Sequence, residues 1–184
     1  MVDRWGNAVT TTTTINSLYG SGVWVPGAGF FLNNEMDDFA VQPGTPNQFG
    51  LVQGESNAIA PGKRMLSAMA PTIVLDPKGS VLMLIGGRGG PRIITAVVQA
   101  IVNVIDHRMS LADAVGAPRI HHQALPDLLE YEQGGVSSAV VDALSSMGYA
   151  TKPGGTGSLT AIMRAKNGWQ GLFDPRKHGL AAGY

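Results

Sequence analysis

The 184-residue chain is long enough to bury a sizeable core, and its 44% hydrophobic and 14% charged residues exclude a disordered chain. Its 13 basic and 13 acidic side chains cancel, so no excess charge points to nucleic acid or an anionic membrane as a partner. With no cysteine, disulfides, thiolate metal sites and a cysteine nucleophile are excluded, and no cofactor is expected.

In chain order, Asp3 to Asn7 reads as a turn and residues 8–16 as a strand, because the five consecutive threonines 10–14 are β-branched. Alternation then puts Thr10, Thr12, Thr14 and Asn16 on one face. Short strands at 23–25 and 30–32 flank a Pro-Gly-Ala-Gly turn. Next comes a cluster in which Asn33, Asn34, Glu35, Asp37 and Asp38 pack two amides and three carboxylates into six positions. Like charges this close raise one another's pKa, so the cluster reads either as a solvated acidic turn after a strand or as a site whose charge a cation should compensate: an Arg or Lys, a metal, or a ligand ammonium group. Residues 40–63 form a long polar segment with little periodicity, read as a functional loop or lid.

Residues 72–76 and 80–85 are apolar strands joined by Pro77-Lys78-Gly79, a hairpin. The second strand runs into Gly86-Gly87-Arg88-Gly89-Gly90-Pro91-Arg92 and then a helix whose Ile94, Val97, Val98, Ile101, Val104 and Ile105 form an apolar stripe predicted to lie on the sheet. This run, 93–105, is the longest apolar stretch, but Thr95, Gln99 and Asn103 interrupt it and it is too short to span a bilayer. Strand, glycine loop and helix is also the plan of a phosphate-binding loop, yet the required Lys and Ser/Thr are missing, and amides at a helix N-terminus serve an oxyanion equally well.

Ser110 to Asp113 is a capping box opening a second helix. The adjacent His121 and His122 point to opposite sides of a strand and cannot chelate one metal, so they read as structural. A third helix over 137–147 is predicted to turn Val140, Val141, Leu144 and Met147 inward, with Gly148 as its stop. Residues 159–164 and 169–173 form a last hairpin around Asn167-Gly168, followed by a tail without periodicity. Mostly antiparallel strands with helices laid on them predict an α+β layered architecture, read as a single domain over 1–184.

Several collinear stretches together carry a resemblance. They are Asp3 with Gly6-Asn7-Ala8-Val9, Thr14-Ile15-Asn16, the run from Leu32 to Phe39, Lys63-Arg64 with Leu66-Ser67 and Met69, and Pro71-Thr72-Ile73. Further along are Gly89-Gly90 with Arg92-Ile93-Ile94, Ala117-Pro118-Arg119 with His121-His122-Gln123, Asp174-Pro175-Arg176, and the terminal Ala182-Gly183-Tyr184. In these the chain resembles the small, C-terminal subunit of γ-glutamyltranspeptidases, which are N-terminal-nucleophile hydrolases. The resemblance implies a four-layer αββα sandwich, formed when a precursor cleaves itself into a large and a small subunit. It also implies a nucleophilic threonine whose own α-amine serves as general base, and a γ-glutamyl-enzyme that passes its acyl group to water or an amino acid.

Residue by residue, Asn16, Glu35 and Asp38 resemble the ligands of the substrate's α-amino group, and Ser67 one of two serines that hold its α-carboxylate. Gly89 and Gly90 resemble the oxyanion-hole amides, and Thr14 the second threonine that hydrogen-bonds the nucleophile. The expected partners are a small γ-glutamyl substrate such as glutathione and the large subunit of the same precursor, in a periplasmic or secreted setting. The departures are Ala68 in place of the second serine, Gly87-Arg88 where many members have Ser-Pro, Pro91 in place of serine, and Phe49 at a lid position often held by tyrosine. The family's threonine-first segment falls a few residues upstream of Met1, so the nucleophile is expected to lie outside this sequence. Two other readings follow: a related cephalosporin or glutaryl acylase, with Ala68 and Arg88 as pocket changes, and an inactive binding remnant of the same fold.

Overall fold

A computed structural model describes residues 1–183; Tyr184, the last residue of the terminal match, lies outside them. The chain divides into two compact units, one built from Met1–Thr12, Met69–His122 and the chain from Asp127, the other from Thr13–Ala68 and Gln123–Pro126.

The first unit centres on a four-stranded antiparallel sheet in the order β3 (Thr72–Leu75), β4 (Val81–Arg88), β8 (Ser158–Ala165), β9 (Gly168–Phe173). Both predicted hairpins are present, and the second closes tightly, with Ala165 paired to Gly168 across Lys166 and Asn167. Ladder register places Met83 and Ile85 of β4 beside Met163 and Ala161 of β8 on one face. Against that face pack α1 (Arg92–Ile105) and α2 (Leu111–Gly116), giving a core of Met83, Ile85, Ile93, Ala96, Val97, Ala100, Leu111, Val115, Leu159 and Ala161. Ser110 caps α2 as predicted, its Oγ accepting from the Asp113 amide at 3.1 Å, while the Asp113 carboxylate accepts from the Ser110 hydroxyl rather than its amide.

The inner face of α1 overlaps the predicted stripe only in part: Val97 is buried and Ile101 and Val104 pack against the core. Its buried residues are Ile93, Ala96, Val97 and Ala100, while Ile94, Val98 and Ile105 are 48%, 53% and 45% exposed. Opposite its polar stripe of Arg92, Thr95, Gln99 and Asn103 this helix has a broad apolar side, so periodicity alone could not say which part of it docks. The stripe with two alanines does, because small side chains let the helix lie close on the strands. A similar correction holds for α3 (Ser138–Ser146): none of its residues is buried, and Val140 and Met147 face solvent.

On the opposite face of the sheet, Ile73 and Leu75 of β3 are exposed. The N-terminal segment does not form the predicted strand. Only a single bridge joins Val2 to Ala8, while the Asp3 carboxylate accepts from the amides of Trp5 and Asn7 at 2.9 Å each. Thr10 and Thr12 instead lie over Gly86, where a Cβ would come within 3.2 Å of the Thr12 hydroxyl. β-Propensity set the extended backbone but could not supply a neighbouring strand. The sequence also gave no sign of a second sheet, in which β6 (Leu129–Tyr131) pairs antiparallel with β5 (Ile120–His121) and parallel with β7 (Thr151–Pro153).

In the second unit, β1 (Trp24–Val25) and β2 (Phe30–Phe31) form a small hairpin, backed by edge-on contacts of Phe31 with Tyr19 and Trp24. Two 3-10 turns follow, Glu35–Asp38 and Glu55–Asn57, and bridges tie Ala40 to Ala58 and Pro46 to Val52. Mixed helices and sheets make this an α+β fold, as the element order predicted.

Candidate active site

The acidic cluster folds as a turn, the 3-10 segment Glu35–Asp38. Three residues per turn stack positions i and i+3, so Glu35 and Asp38 share one side of it. Burial, a hydrogen bond shared with Glu35, and the negative charges of Glu35 and Asp37 push the Asp38 carboxyl up from 3.8 to about 6. One carboxylate oxygen of Glu35 is buried with no hydrogen-bond partner. No Arg or Lys forms an ion pair with these carboxylates among the described residues.

Amides hold the turn from outside. The Asn33 side chain accepts from the Glu35 amide at 3.0 Å, and the Asn34 side chain accepts from the Ser17 amide while donating to the Ser17 hydroxyl, both at 2.9 Å. Asn16 lies beside it: its Nδ2 donates to the Asn34 carbonyl at 3.2 Å, and its own amide donates to the Thr14 hydroxyl at 2.7 Å. Asn16 has φ of 70°, a left-handed backbone that asparagine tolerates and that ends any strand there. The structure therefore brings Thr14, Asn16, Glu35 and Asp38 of the predicted set into one neighbourhood.

Ser67 and Ala68 close the same unit. Asn57, which the sequence did not single out, reaches from the acidic turn to this segment: its side chain donates to the Asp38 carbonyl at 2.7 Å and accepts from the Leu66 amide at 3.0 Å. The polar segment 40–63 is organised too, with Asn47 donating to the Asp37 carbonyl and the Gln48 amide donating to the Asp37 carboxylate. It encloses a cavity of about 200 Å³ lined by Asp37, Phe39, Val41, Asn47, Leu51 and Gln53 among others. Phe49 sits at the tip, where its carbonyl accepts from the Gln123 side chain at 3.2 Å.

In the first unit, β4 delivers Gly89 and Gly90 to the start of α1. Both have positive φ, 138° and 60°, and a Cβ on Gly89 would come within 2.8 Å of the Gly157 Cα. Their carbonyls accept from the Arg92 and Ile93 amides, while neither glycine's own amide donates a hydrogen bond among the described residues. Two donors near a helix start and free of internal acceptors suit an anion or oxyanion.

Buried charges brace this region. Arg119 and Asp174 pair with side chains 1% and 0% exposed, and Asp174 also accepts from the Leu159 amide at 3.0 Å. Burial would raise the Asp174 carboxyl, but Arg119 and the Arg176 and Leu159 amides hold it below its ordinary range. Arg176 binds the Glu132 carboxylate and the carbonyls of Val115, Gly116 and Ala117. The sequence marked Arg119, Asp174 and Arg176 only as matched positions. Separations of 44 and 55 residues hide such pairs from any local pattern. The histidines take separate partners, His121 the Thr95 hydroxyl and His122 the Asp127 carboxylate, each at 2.9 Å.

The model of the gamma-glutamyltranspeptidase family matches residues 1–184. The chain belongs to this family. It is 45% identical over 188 residues to the glutathione hydrolase proenzyme of Escherichia coli K12, an alignment that takes in 100% of this chain and 32% of that protein. Among solved structures, the γ-glutamyltranspeptidase of Pseudomonas nitroreducens complexed with L-DON superimposes with a TM-score of 0.93 at 44% identity, covering 100% of this chain and 97% of that one. A mutant of the Helicobacter pylori γ-glutamyltranspeptidase gives a TM-score of 0.91 at 50% identity over 96% of this chain and 97% of that one. The γ-glutamyltranspeptidase fold is thus the fold of this chain, and the chain spans about a third of the length of the bacterial glutathione hydrolase proenzymes it matches.

Proposed function

We propose that this chain is the small-subunit portion of an enzyme that transfers or hydrolyses γ-glutamyl groups, with glutathione and other γ-glutamyl amides as donors. The observation that carries this reading is the acidic turn: Glu35 and Asp38 share one side of it, Asp38 is pushed up to about 6, and a buried Glu35 oxygen has no partner. Such a cluster lacks a cation. A substrate's α-ammonium group supplies one, and Asn16, Glu35 and Asp38 are its ligands in this reading.

The other roles follow the family resemblance. Ser67 holds the α-carboxylate, and Ala68 in place of a second hydroxyl removes one donor and broadens recognition. A threonine of the precursor, freed at the start of the small subunit, attacks the γ-carbonyl through its hydroxyl oxygen, and its α-amine takes the hydroxyl proton. The oxygen that becomes negative in the tetrahedral intermediate is held by the Gly89 and Gly90 amides. Thr14 orients the nucleophile. The C–N bond then breaks, the amine departs with the proton, and the γ-glutamyl ester is resolved by water or by an amino acid's amine.

A large subunit from the same precursor completes the four-layer sandwich, and the apolar Ile94, Val98 and Ile105 along α1 and Ile73 and Leu75 on β3 mark unpartnered faces that support a second chain. The glutathione hydrolases among the matched relatives, at 44% and 45% identity, favour this reading over the acylase one.

The test uses the complete precursor. It should release p-nitroaniline from γ-glutamyl p-nitroanilide, and Asp38→Ala should abolish turnover. Wild-type-like rates in that variant would sink the assignment.

A further inference from the structure

We propose that Asn57 is the positioning residue that fixes the distance between the groups holding the substrate's ammonium and the group holding its carboxylate. This rests on the reading just given. The α-ammonium and α-carboxylate are carried on one carbon atom, so the spacing between their holders is set by the ligand, and a small misplacement weakens both contacts together.

Asn57 is placed to set that spacing. It is 8% exposed, in the 3-10 turn Glu55–Asn57, and its main chain is pinned at both ends: its amide donates to the Gly54 carbonyl at 3.1 Å and its carbonyl accepts from the Ala40 amide at 3.0 Å. The side chain then bridges two distant segments. Its Nδ2 donates to the Asp38 carbonyl at 2.7 Å, at the end of the acidic turn, and its Oδ1 accepts from the Leu66 amide at 3.0 Å, one residue before Ser67. A second acceptor, Gln53 Oε1, takes the other Nδ2 hydrogen and fixes which way the amide faces.

Donor and acceptor are both required. A planar amide that gives at one end and accepts at the other is rigid, whereas the chain between it and Ser67 has no regular secondary structure. Without the bridge, the Leu66 amide beside Ser67 loses its acceptor, while the acidic turn keeps its supports from Asn33 and Asn34.

The substitution Asn57→Asp keeps the oxygen that accepts from Leu66, removes the donor to Asp38 and sets a carboxylate against a carbonyl. In the processed full-length enzyme it should raise KM for γ-glutamyl p-nitroanilide and Ki for free L-glutamate by about tenfold, the usual loss when a buried hydrogen bond is left unmet. The kcat at saturating donor should stay within about twofold, because the reacting carbonyl is untouched. The milder Asn57→Ser should raise KM less, and it serves as the test protein if Asn57→Asp does not accumulate. As a control, Val97→Ala, in the core of the other unit, should lower Tm and leave KM where it is.

An unchanged KM and Ki in both Asn57 variants, or a fall in kcat at constant KM, would overturn the positioning role and leave the γ-glutamyl reading standing. A wild-type enzyme that neither turns over the anilide nor gains Tm from L-glutamate would overturn that reading and this proposal together.

Discussion

Arg119 Nη2 and Asp174 Oδ2 meet at 2.5 Å with both side chains shut off from solvent. The pair is anchored at each end, Arg119 also donating to the Val115 carbonyl at 2.6 Å and Asp174 accepting from the Leu159 and Arg176 amides at 3.0 Å. It ties the end of α2 to the start of β8, next to Gly157, on which the Gly89 backbone rests. Removing one partner leaves a buried charge uncompensated. Asp174→Ala should therefore destabilise the protein by about 3–5 kcal/mol, read from the denaturant midpoint of the assembled enzyme. A loss under about 1 kcal/mol, the range of an exposed pair, would show that water reaches Arg119.

The same network predicts acid sensitivity. The Arg176 hydrogen bond to Glu132 and, against the opposing effect of burial, the Arg119 hydrogen bond to Asp174 hold both carboxyls below their ordinary values of 4.5 and 3.8. Depressed carboxyls contribute stability that is present above the unfolded values and lost as pH falls through the folded ones. Tm should be flat near neutrality and fall below about pH 4, and Glu132→Gln should remove part of that fall. A Tm profile in Glu132→Gln identical to the wild type would count against this account.

Asp38 has the opposite sign. Its carboxyl is raised from 3.8 to about 6, so the ligand-free protein gains stability from this group that is complete below 3.8 and lost as pH rises through 6. Binding an ammonium group needs the carboxylate and expels that proton. Affinity for L-glutamate should accordingly be flat well above pH 6 and drop by up to about tenfold per pH unit below it. Calorimetric titration in buffers of different ionisation enthalpy measures the proton released, and no pH dependence between 5 and 7 would contradict an ionisable Asp38 in the site.

Gly89→Ala should fail in rate more than in binding. Its φ of 138° is one that side chains rarely adopt, and the new Cβ would meet the Gly157 Cα at 2.8 Å. Displacing an oxyanion donor, the role proposed for the Gly89 amide, should cost roughly a hundredfold or more in kcat, with donor KM changed little. Stopped-flow acylation with a γ-glutamyl anilide gives the number, and a rate within about threefold of wild type would remove Gly89 from the oxyanion role.

What the sequence determined by itself was local. Alternating and helical apolar runs set both hairpins of the main sheet and all three helices, the Ser110 capping box placed the start of α2, and the collinear motifs identified the family. The extended threonine run shows the limit: residues 10–14 have the propensity of a strand but pair with no strand among the described residues, and a strand is a property of two segments. In α1 the period was legible and the docking face was not, since choosing between two apolar stripes depends on how closely alanines let the helix approach the sheet. Glu35 and Asp38 were legible as a costly charge cluster, but their sharing one side required the 3-10 turn that Asn33, Asn34 and Asn57 hold in place. Asn57, Arg119 and Asp174 acquire their meaning from partners as far as 55 residues away, which tertiary structure alone brings within hydrogen-bonding distance.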